Sequence, residues 1–223
     1  MTTAAGPGDP DVAHLTSADF DHVYEMGEDT FLLMSVLDDH IAALCANAAP
    51  RVCVEIGSGS GIVSAHLSNL IRYHSARRPI IFATDVNEKA AEATSKTFAK
   101  NAVRGEVIVT DLASALERRL SHRVDVLVFN PPYVPSPASE LRRRDLTAAW
   151  AGGINGAEVI ERFLPAIDKL LSPHGMLFLV LIEANLPDVI FAKLESQGFH
   201  CQTLARRHVA GERLRITGIT RQQ

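Results

Sequence analysis

The sequence predicts an α/β fold: a seven-stranded, mostly parallel sheet with helices on both faces and an antiparallel hairpin at its C-terminal end. Three observations carry this. Short β-branched runs alternate with segments of helical period. A glycine-rich turn follows the first strand and opens a helix. The last two strand-like runs flank Ala210-Gly211 with no helix between them, as an antiparallel pair does.

Residues 1–20 are rich in Gly, Pro, Ala and Asp and read as a flexible tail ahead of a single domain over 21–223. A helix is expected over 28–47, where Phe31, Leu32, Val36, Leu37, Ile41 and Leu44 repeat at helical spacing until Pro50 ends the segment. Strand 52–56 is short and apolar, and helix 60–73 places Ile62, Val63, Leu67, Leu70 and Ile71 on one side. The alternation continues with strand 80–84, helix 88–101, strand 106–110, helix 112–120 and strand 124–129. A loop holding Pro131, Pro132, Pro135 and Pro137 interrupts it. Helix 157–171, the turn 173–175, strand 176–182 and helix 187–197 follow, then strands 199–206 and 213–220.

Length and composition bound the function. A chain of 223 residues, 47% hydrophobic and 22% charged, is one globular domain with a short extension. The net charge of -4 weighs against a partner made of phosphates. Cys45, Cys53 and Cys201 form no CxxC pair, the nine histidines do not cluster, and no metal site is expected. The longest purely apolar run, 176–182, is far short of the ~20 residues of a membrane span, and residues 1–11 lack a basic-then-apolar leader pattern. A reducing cytoplasmic or nuclear compartment and no membrane partner are the expectation.

In a parallel sheet of this kind, ligands lie beyond the C-terminal strand ends, so the residues following each strand are the candidates for chemistry. After the first strand comes Glu55-Ile-Gly-Ser-Gly-Ser-Gly61. Glycines there permit positive φ and close approach of a ligand to the backbone. A dinucleotide GxGxxG fails in both registers, at Ile62 from Gly57 and at Ser64 from Gly59. Glu55 would repel a pyrophosphate but suits a cationic ligand carrying an amino group or a sulfonium. Asp85, after the second strand, suits the two hydroxyls of a ribose. Asp111, after the third, suits an adenine amino group. Either aspartate could equally be a helix N-cap.

Asn130-Pro131-Pro132-Tyr133, after the fourth strand, is the most specific signal in the chain. Consecutive prolines stiffen the backbone and contribute no N–H donors. The Asn130 amide oxygen and the Pro131 carbonyl become fixed acceptors for the two hydrogens of a planar –NH2 group, with the Tyr133 ring available to stack on its face.

With these residues in place, the chain resembles the class I S-adenosylmethionine-dependent methyltransferases that methylate amino groups. Within them it is similar to the HemK-like glutamine methyltransferases of eukaryotes and archaea. Residues 24–33 (YEMGEDTFLL) and 148–156 (AAWAGGING) resemble that subfamily's segments on either side of the core, and the similarity spans about 20–220. Met26-Gly27 departs from the usual Pro and small residue, which bears on loop stiffness. The resemblance implies S-adenosylmethionine as cofactor. Thr30, Glu55, Gly57 and Gly59 would lie at its methionine end, Asp85 at the ribose, Asp111 and Leu112 at the adenine, and Asn130 between cofactor and substrate. It further implies a class 1 translation release factor as substrate, methylated at the glutamine of a Gly-Gly-Gln motif. A small zinc-binding activator subunit is the implied partner, and the apolar strand 106–110, an edge in the usual strand order, is where it would dock.

Three readings compete. An N6-adenine nucleic acid methyltransferase would use the same tetrapeptide on a flipped base, but it predicts a positive field and a target-recognition region. Methylation of a protein lysine, as in a histone, is a secondary activity to weigh. A catalytically silent cofactor-binding subunit would not need an intact NPPY. Trp150, the single tryptophan, walls the substrate pocket or packs in the core. Arg142, Arg143 and Arg144 form a solvated loop or touch an acidic or RNA surface.

Overall fold

A computed structural model describes residues 7–137, 139–140, 145–209 and 211–222. Arg142, Arg143 and Arg144 lie outside the described residues. After the short helix α1 (Ser17–Phe20) and the long α2 (Glu28–Ala48), the chain alternates through β1 (Val52–Ile56), α3 (Ile62–Ser75), β2 (Ile80–Asp85), α4 (Glu88–Lys100), β3 (Gly105–Val109) and β4 (Val124–Phe129). It continues with α5 (Glu158–Leu170), β5 (Leu171–Ile182), α6 (Pro187–Glu195), β6 (Phe199–Val209) and β7 (Glu212–Arg221).

The strands form one sheet in the order β3-β2-β1-β4-β5-β7-β6, parallel except where β7 pairs antiparallel with both β5 and β6. The order reverses between β1 and β4, so the crevice at the C-terminal ends of those two strands is where a ligand fits. Two apolar layers cover the sheet. Phe129, Phe163, Ile167 and Leu179 belong to one, and Leu33, Leu37, Ile71 and Phe178 to the other. Parallel strands buried on both faces explain the continuous apolar runs in the sequence. Helix α2 is long and apolar enough to cross a bilayer, yet it lays Leu33, Leu37 and Ile41 into the second layer, as a core helix does.

Three expectations change. The helix expected over 112–120 is a series of turns: Leu112 takes φ of 50°, which no right-handed helix accommodates, while Ala113, Leu116 and Leu120 are buried at a spacing that imitates one. The turn expected at 173–175 is part of β5, which starts at Leu171 and pairs with β4 through a register shift between Val124 and Val126. Residues 7–20, expected as a tail, lie against the body. The Asp11 N–H donates to the Asn101 side chain, which donates back to the Asp11 carbonyl, and Leu15 packs with Val23, Ala90 and Ala93.

Candidate active site

The cavity at the strand-order reversal has a volume of about 730 Å³. The residues that the sequence assigns to cofactor, substrate or chemistry all line it: Thr30, Glu55, Gly57, Gly59, Asp85, Asp111, Leu112, Asn130, Pro131, Pro132, Tyr133 and Trp150. Their convergence follows from the parallel sheet, which brings the C-terminal ends of β1, β2, β3 and β4 to one edge.

The turn after β1 forms one wall. Gly57, Gly59 and Gly61 take φ of 66°, 52° and 77°, the left-handed region that a side chain disfavours. Gly61 is the N-cap of α3, and a Cβ there would stand 2.9 Å from the Thr94 Cα, so α4 packs directly on this turn. Glu55 is buried behind it, where its Oε2 accepts from both the backbone N–H and the hydroxyl of Ser64. Burial pushes its carboxyl up to about 8, against the lowering effect of the Ser64 bonds, and the charge of Asp85 adds to the rise. A buried carboxyl held this way is a receptor for a cation, which would restore its charge.

Asp85 accepts from the Gly59 N–H at 3.0 Å through Oδ2 and from the Asn87 N–H at 2.9 Å through Oδ1. It thus fastens the glycine turn to the end of β2. Burial raises its pKa, and the backbone donors oppose that rise. The helix N-cap, the alternative role weighed for Asp85, belongs to Asn87, whose side chain accepts from the Lys89 N–H. Asp111 is half-exposed, and its Oδ2 is paired with Arg162 at 2.5 Å, a partner from α5 that the sequence did not suggest. Only half of that carboxylate is left for a base.

The opposite wall is built around Asp29, in the first turn of α2 and buried. Its Oδ2 accepts from Asn130 Nδ2 at 2.9 Å and from the Tyr133 hydroxyl at 3.0 Å, and its Oδ1 accepts from the Thr30 N–H at 2.7 Å. The Asn130 Oδ1 is buried with no partner among the described residues. Burial, reinforced by the Asp29 charge, lifts the Tyr133 hydroxyl far above the ordinary phenol range, so it stays a donor. Tyr133 is therefore anchored through its hydroxyl and packed with the α2 layer, where the sequence suggested only a ring free to stack.

Val134, the residue after Tyr133, is held just as tightly. The Val134 N–H donates to the Trp150 carbonyl, and the Gly152 N–H donates to the Val134 carbonyl, both at 2.9 Å. Buried Asn185 donates to the Tyr133 and Asn155 carbonyls and accepts from the Ile182 N–H. Gly156 lies so close to the Tyr133 carbonyl that a Cβ would overlap it. Trp150 remains partly exposed at the cavity wall, which favours the pocket reading over core packing.

Set against known proteins, the family model of the methyltransferase small domain matches residues 25–145, which span both walls of the cavity. The chain belongs to this methyltransferase family. It is 41% identical over 207 residues to Methyltransferase HEMK2 of Mus musculus, covering 93% of this chain and 94% of the relative. It is 32% identical over 222 residues to the eRF1 methyltransferase catalytic subunit mtq2 of Schizosaccharomyces pombe, covering 95% of each. Among solved structures it matches the E. cuniculi Mtq2-Trm112 complex, responsible for methylation of the eRF1 translation termination factor. That match has a TM-score of 0.64 and 30% identity over 89% of this chain and 98% of the other. The cavity of this methyltransferase thus includes two residues that reading its sequence did not single out, Asp29 and Arg162, and a third, Asn185, braces the Tyr133 carbonyl from behind. Asp29 alone had a signal, its place inside the 24–33 segment.

Proposed function

We propose that this methyltransferase moves a methyl group from S-adenosylmethionine to the side-chain amide of a glutamine in the Gly-Gly-Gln motif of a class 1 release factor. The observation that carries the reading is Asn130, which lines the cavity and whose buried Oδ1 is an acceptor with no donor among the described residues. The 41% and 32% identical relatives, one of them named an eRF1 methyltransferase catalytic subunit, support the choice of substrate.

The residues present fit the cofactor. Glu55 Oε1 accepts no hydrogen bond among the described residues and suits an ammonium. Asp85 retains lone pairs for ribose hydroxyls, and beyond its chain neighbours no described residue comes within 4 Å of where a Gly59 Cβ would stand, so the turn leaves room for a ligand. Leu112 and the free oxygen of Asp111 suit an adenine. When bound, S-adenosylmethionine supplies a methyl group made electrophilic by its sulfonium.

The chain's own residues supply position. A glutamine amide is a weak nucleophile because its nitrogen lone pair is delocalised into the carbonyl. If the Asn130 Oδ1 and the Pro131 carbonyl each accept one of its hydrogens, the nitrogen is held with one face toward the cofactor. Those bonds strengthen as positive charge develops on the nitrogen, which is stabilisation made mainly in the transition state. Orienting the two reactants supplies several kcal/mol more, up to ~7. No side chain is needed as a base before transfer, and the extra proton leaves afterwards along the same acceptors to water.

The partner is a small zinc-binding activator docked on β3, the exposed edge of the sheet. The Ile81 N–H donates to the Arg104 carbonyl and the Thr110 N–H to the Asp85 carbonyl, so even-numbered residues turn their backbone toward β2. Gly105, Val107 and Val109 then turn theirs outward, ready to add a strand. Val107→Pro removes one outward N–H while sparing the pairing with β2, and is expected to weaken capture of the activator about tenfold or more. Unchanged capture in a pull-down or calorimetric titration would place the partner elsewhere.

The deciding experiment for the activity is labelled-methyl transfer to release factor, its Gln→Ala loop variant, DNA, RNA and histone. Label on the release factor that disappears in the Gln→Ala variant is the expected result. Label that persists there, or that appears instead on a nucleic acid or a histone lysine, overturns the glutamine reading.

A further inference from the structure

We propose that Asp29 is the positioning residue of the acceptor site: its buried carboxylate fixes the polarity of the Asn130 amide and so determines which end meets the substrate. The inference rests on the role given to Asn130 above. An asparagine amide has two ends of nearly equal size, one accepting and one donating, and nothing in its own chemistry selects between them. If it turned over, an N–H donor would face the incoming –NH2 group, and two donors repel.

A carboxylate can only accept. With Asp29 Oδ2 at 2.9 Å, the Nδ2 end of Asn130 is bound to it, and Oδ1 is the end left without a partner among the described residues. Turning the amide would set one oxygen against another and break a charge-assisted hydrogen bond, one of the stronger kinds in a buried site. Asp29 is itself held still. The Thr30 N–H grips its other oxygen, the Tyr133 hydroxyl donates to the same Oδ2, and the residue is 3% exposed. Its place in the first turn of α2 favours a negative charge through the helix dipole.

The arrangement does more than orient. A hydrogen bond from Nδ2 to a carboxylate draws electron density toward Oδ1 and makes it a better acceptor, because hydrogen bonds in series polarise one another. The gain is largest when charge develops on the substrate nitrogen. Asp29 therefore acts on turnover through Asn130, without needing to touch cofactor or substrate. A fastener that merely joined α2 to the loop after β4 would affect stability and cofactor binding alike.

The test is a double-mutant cycle in the full chain with Asp29→Asn, Asn130→Ala and the combined variant. It reads kcat and KM by labelled-methyl transfer, affinity for S-adenosylhomocysteine by calorimetry, and the melting temperature. An asparagine at position 29 keeps the shape but offers one acceptor where the carboxylate offers two. Asp29→Asn is expected to lower kcat by roughly 30-fold, with KM and S-adenosylhomocysteine affinity within about threefold. In the Asn130→Ala background the same change should cost less than about threefold, because the residue it acts through is gone. An equal loss in both backgrounds, or a loss of S-adenosylhomocysteine affinity that matches the loss of kcat, overturns the proposal.

The swapped pair, Asp29→Asn combined with Asn130→Asp, keeps the inference testable if the single variant does not fold. In the swap, the new amide on α2 would donate to the new carboxylate after β4 and accept from Tyr133. One oxygen of that carboxylate would then remain as the free acceptor. Recovery of turnover at least about tenfold above Asn130→Ala supports the proposal, and a folded swap no faster than Asn130→Ala overturns it. The cycle can be measured on whichever acceptor the wild-type chain methylates. Failure of the glutamine reading, seen as wild-type transfer to another acceptor, is thus distinguishable from failure of the Asp29 inference.

Discussion

The two walls of the cavity are assembled in different ways. On the glycine-turn side, each polar group follows a strand and is satisfied within the strand ends and their turns: Glu55 by Ser64, nine residues on, and Asp85 by Asn87, two residues on, and by Gly59, 26 residues back. On the Asn130 side, the contacts join residues 101 and 104 positions apart, with Asp29 as the shared partner. The first wall is a set of separable contacts around a ligand that brings its own charge. The second is one network, in which displacing any member displaces the rest. Binding should therefore degrade gradually on the first side, and turnover should fail abruptly on the second.

The sharpest way to break this contrast is Asn130→Ala. It removes the unpartnered acceptor and is expected to lower kcat by two to three orders of magnitude, about the worth of one preorganised charge-stabilising donor or acceptor. S-adenosylhomocysteine affinity should stay within about threefold, because the opposite wall keeps its bonds. Equal losses of affinity and kcat in calorimetric and turnover measurements would show that the walls are not separable.

Glu55→Gln probes the first wall, with a smaller effect and a distinctive pH dependence. The Glu55 carboxyl holds its proton up to about pH 8 in the folded chain. Pairing with a cationic ammonium favours the carboxylate, so binding below that pH releases a proton. Affinity should then rise with pH toward about 8 and level off above it, and calorimetry in buffers of different ionisation enthalpy should detect the released proton. Glu55→Gln should abolish the proton release and lower affinity above about pH 8 by roughly tenfold. The same shift governs folding. A carboxyl whose folded pKa of about 8 lies above the ordinary 4.5 costs stability progressively as pH rises between those values. The ligand-free Glu55→Gln chain should lose less stability over that interval than the wild type, and a parallel fall in both melting curves would remove burial as the cause.

The same difference in construction decided what could be read from the sequence. Parallel strands bring their C-terminal ends together whatever their spacing along the chain, so Glu55, Asp85, Asp111 and Asn130 could be assigned to one site before any contact was known. Asp29 could not be found that way. An acidic residue in the first turn of a helix is ordinary on its own, and only the fold shows that its acceptors face Asn130 and Tyr133. Asn185 is hidden for the same reason, since its partners Tyr133 and Asn155 are 52 and 30 residues away. The residues over 112–120 went wrong differently. Burial at Ala113, Leu116 and Leu120 follows helical spacing, and the positive φ of Leu112 leaves no mark in a leucine.

The smallest effect expected is at the Asp111–Arg162 pair, where the sequence reading and the structure differ most within the site. Both side chains are about half exposed, so the ion pair itself contributes little, about 0–1 kcal/mol. Arg162→Ala should leave the melting temperature nearly unchanged while freeing the second Asp111 oxygen. If Asp111 is the group that reads the adenine, S-adenosylhomocysteine affinity should stay within about threefold of wild type, and Asp111→Asn should weaken it more than Arg162→Ala does. The reverse order would assign the base contact to Arg162, which also lines the cavity and whose planar guanidinium can lie against a purine ring. That outcome would make the glycine-turn wall less local than its other contacts, because its outermost group would come from α5, 51 residues beyond Asp111.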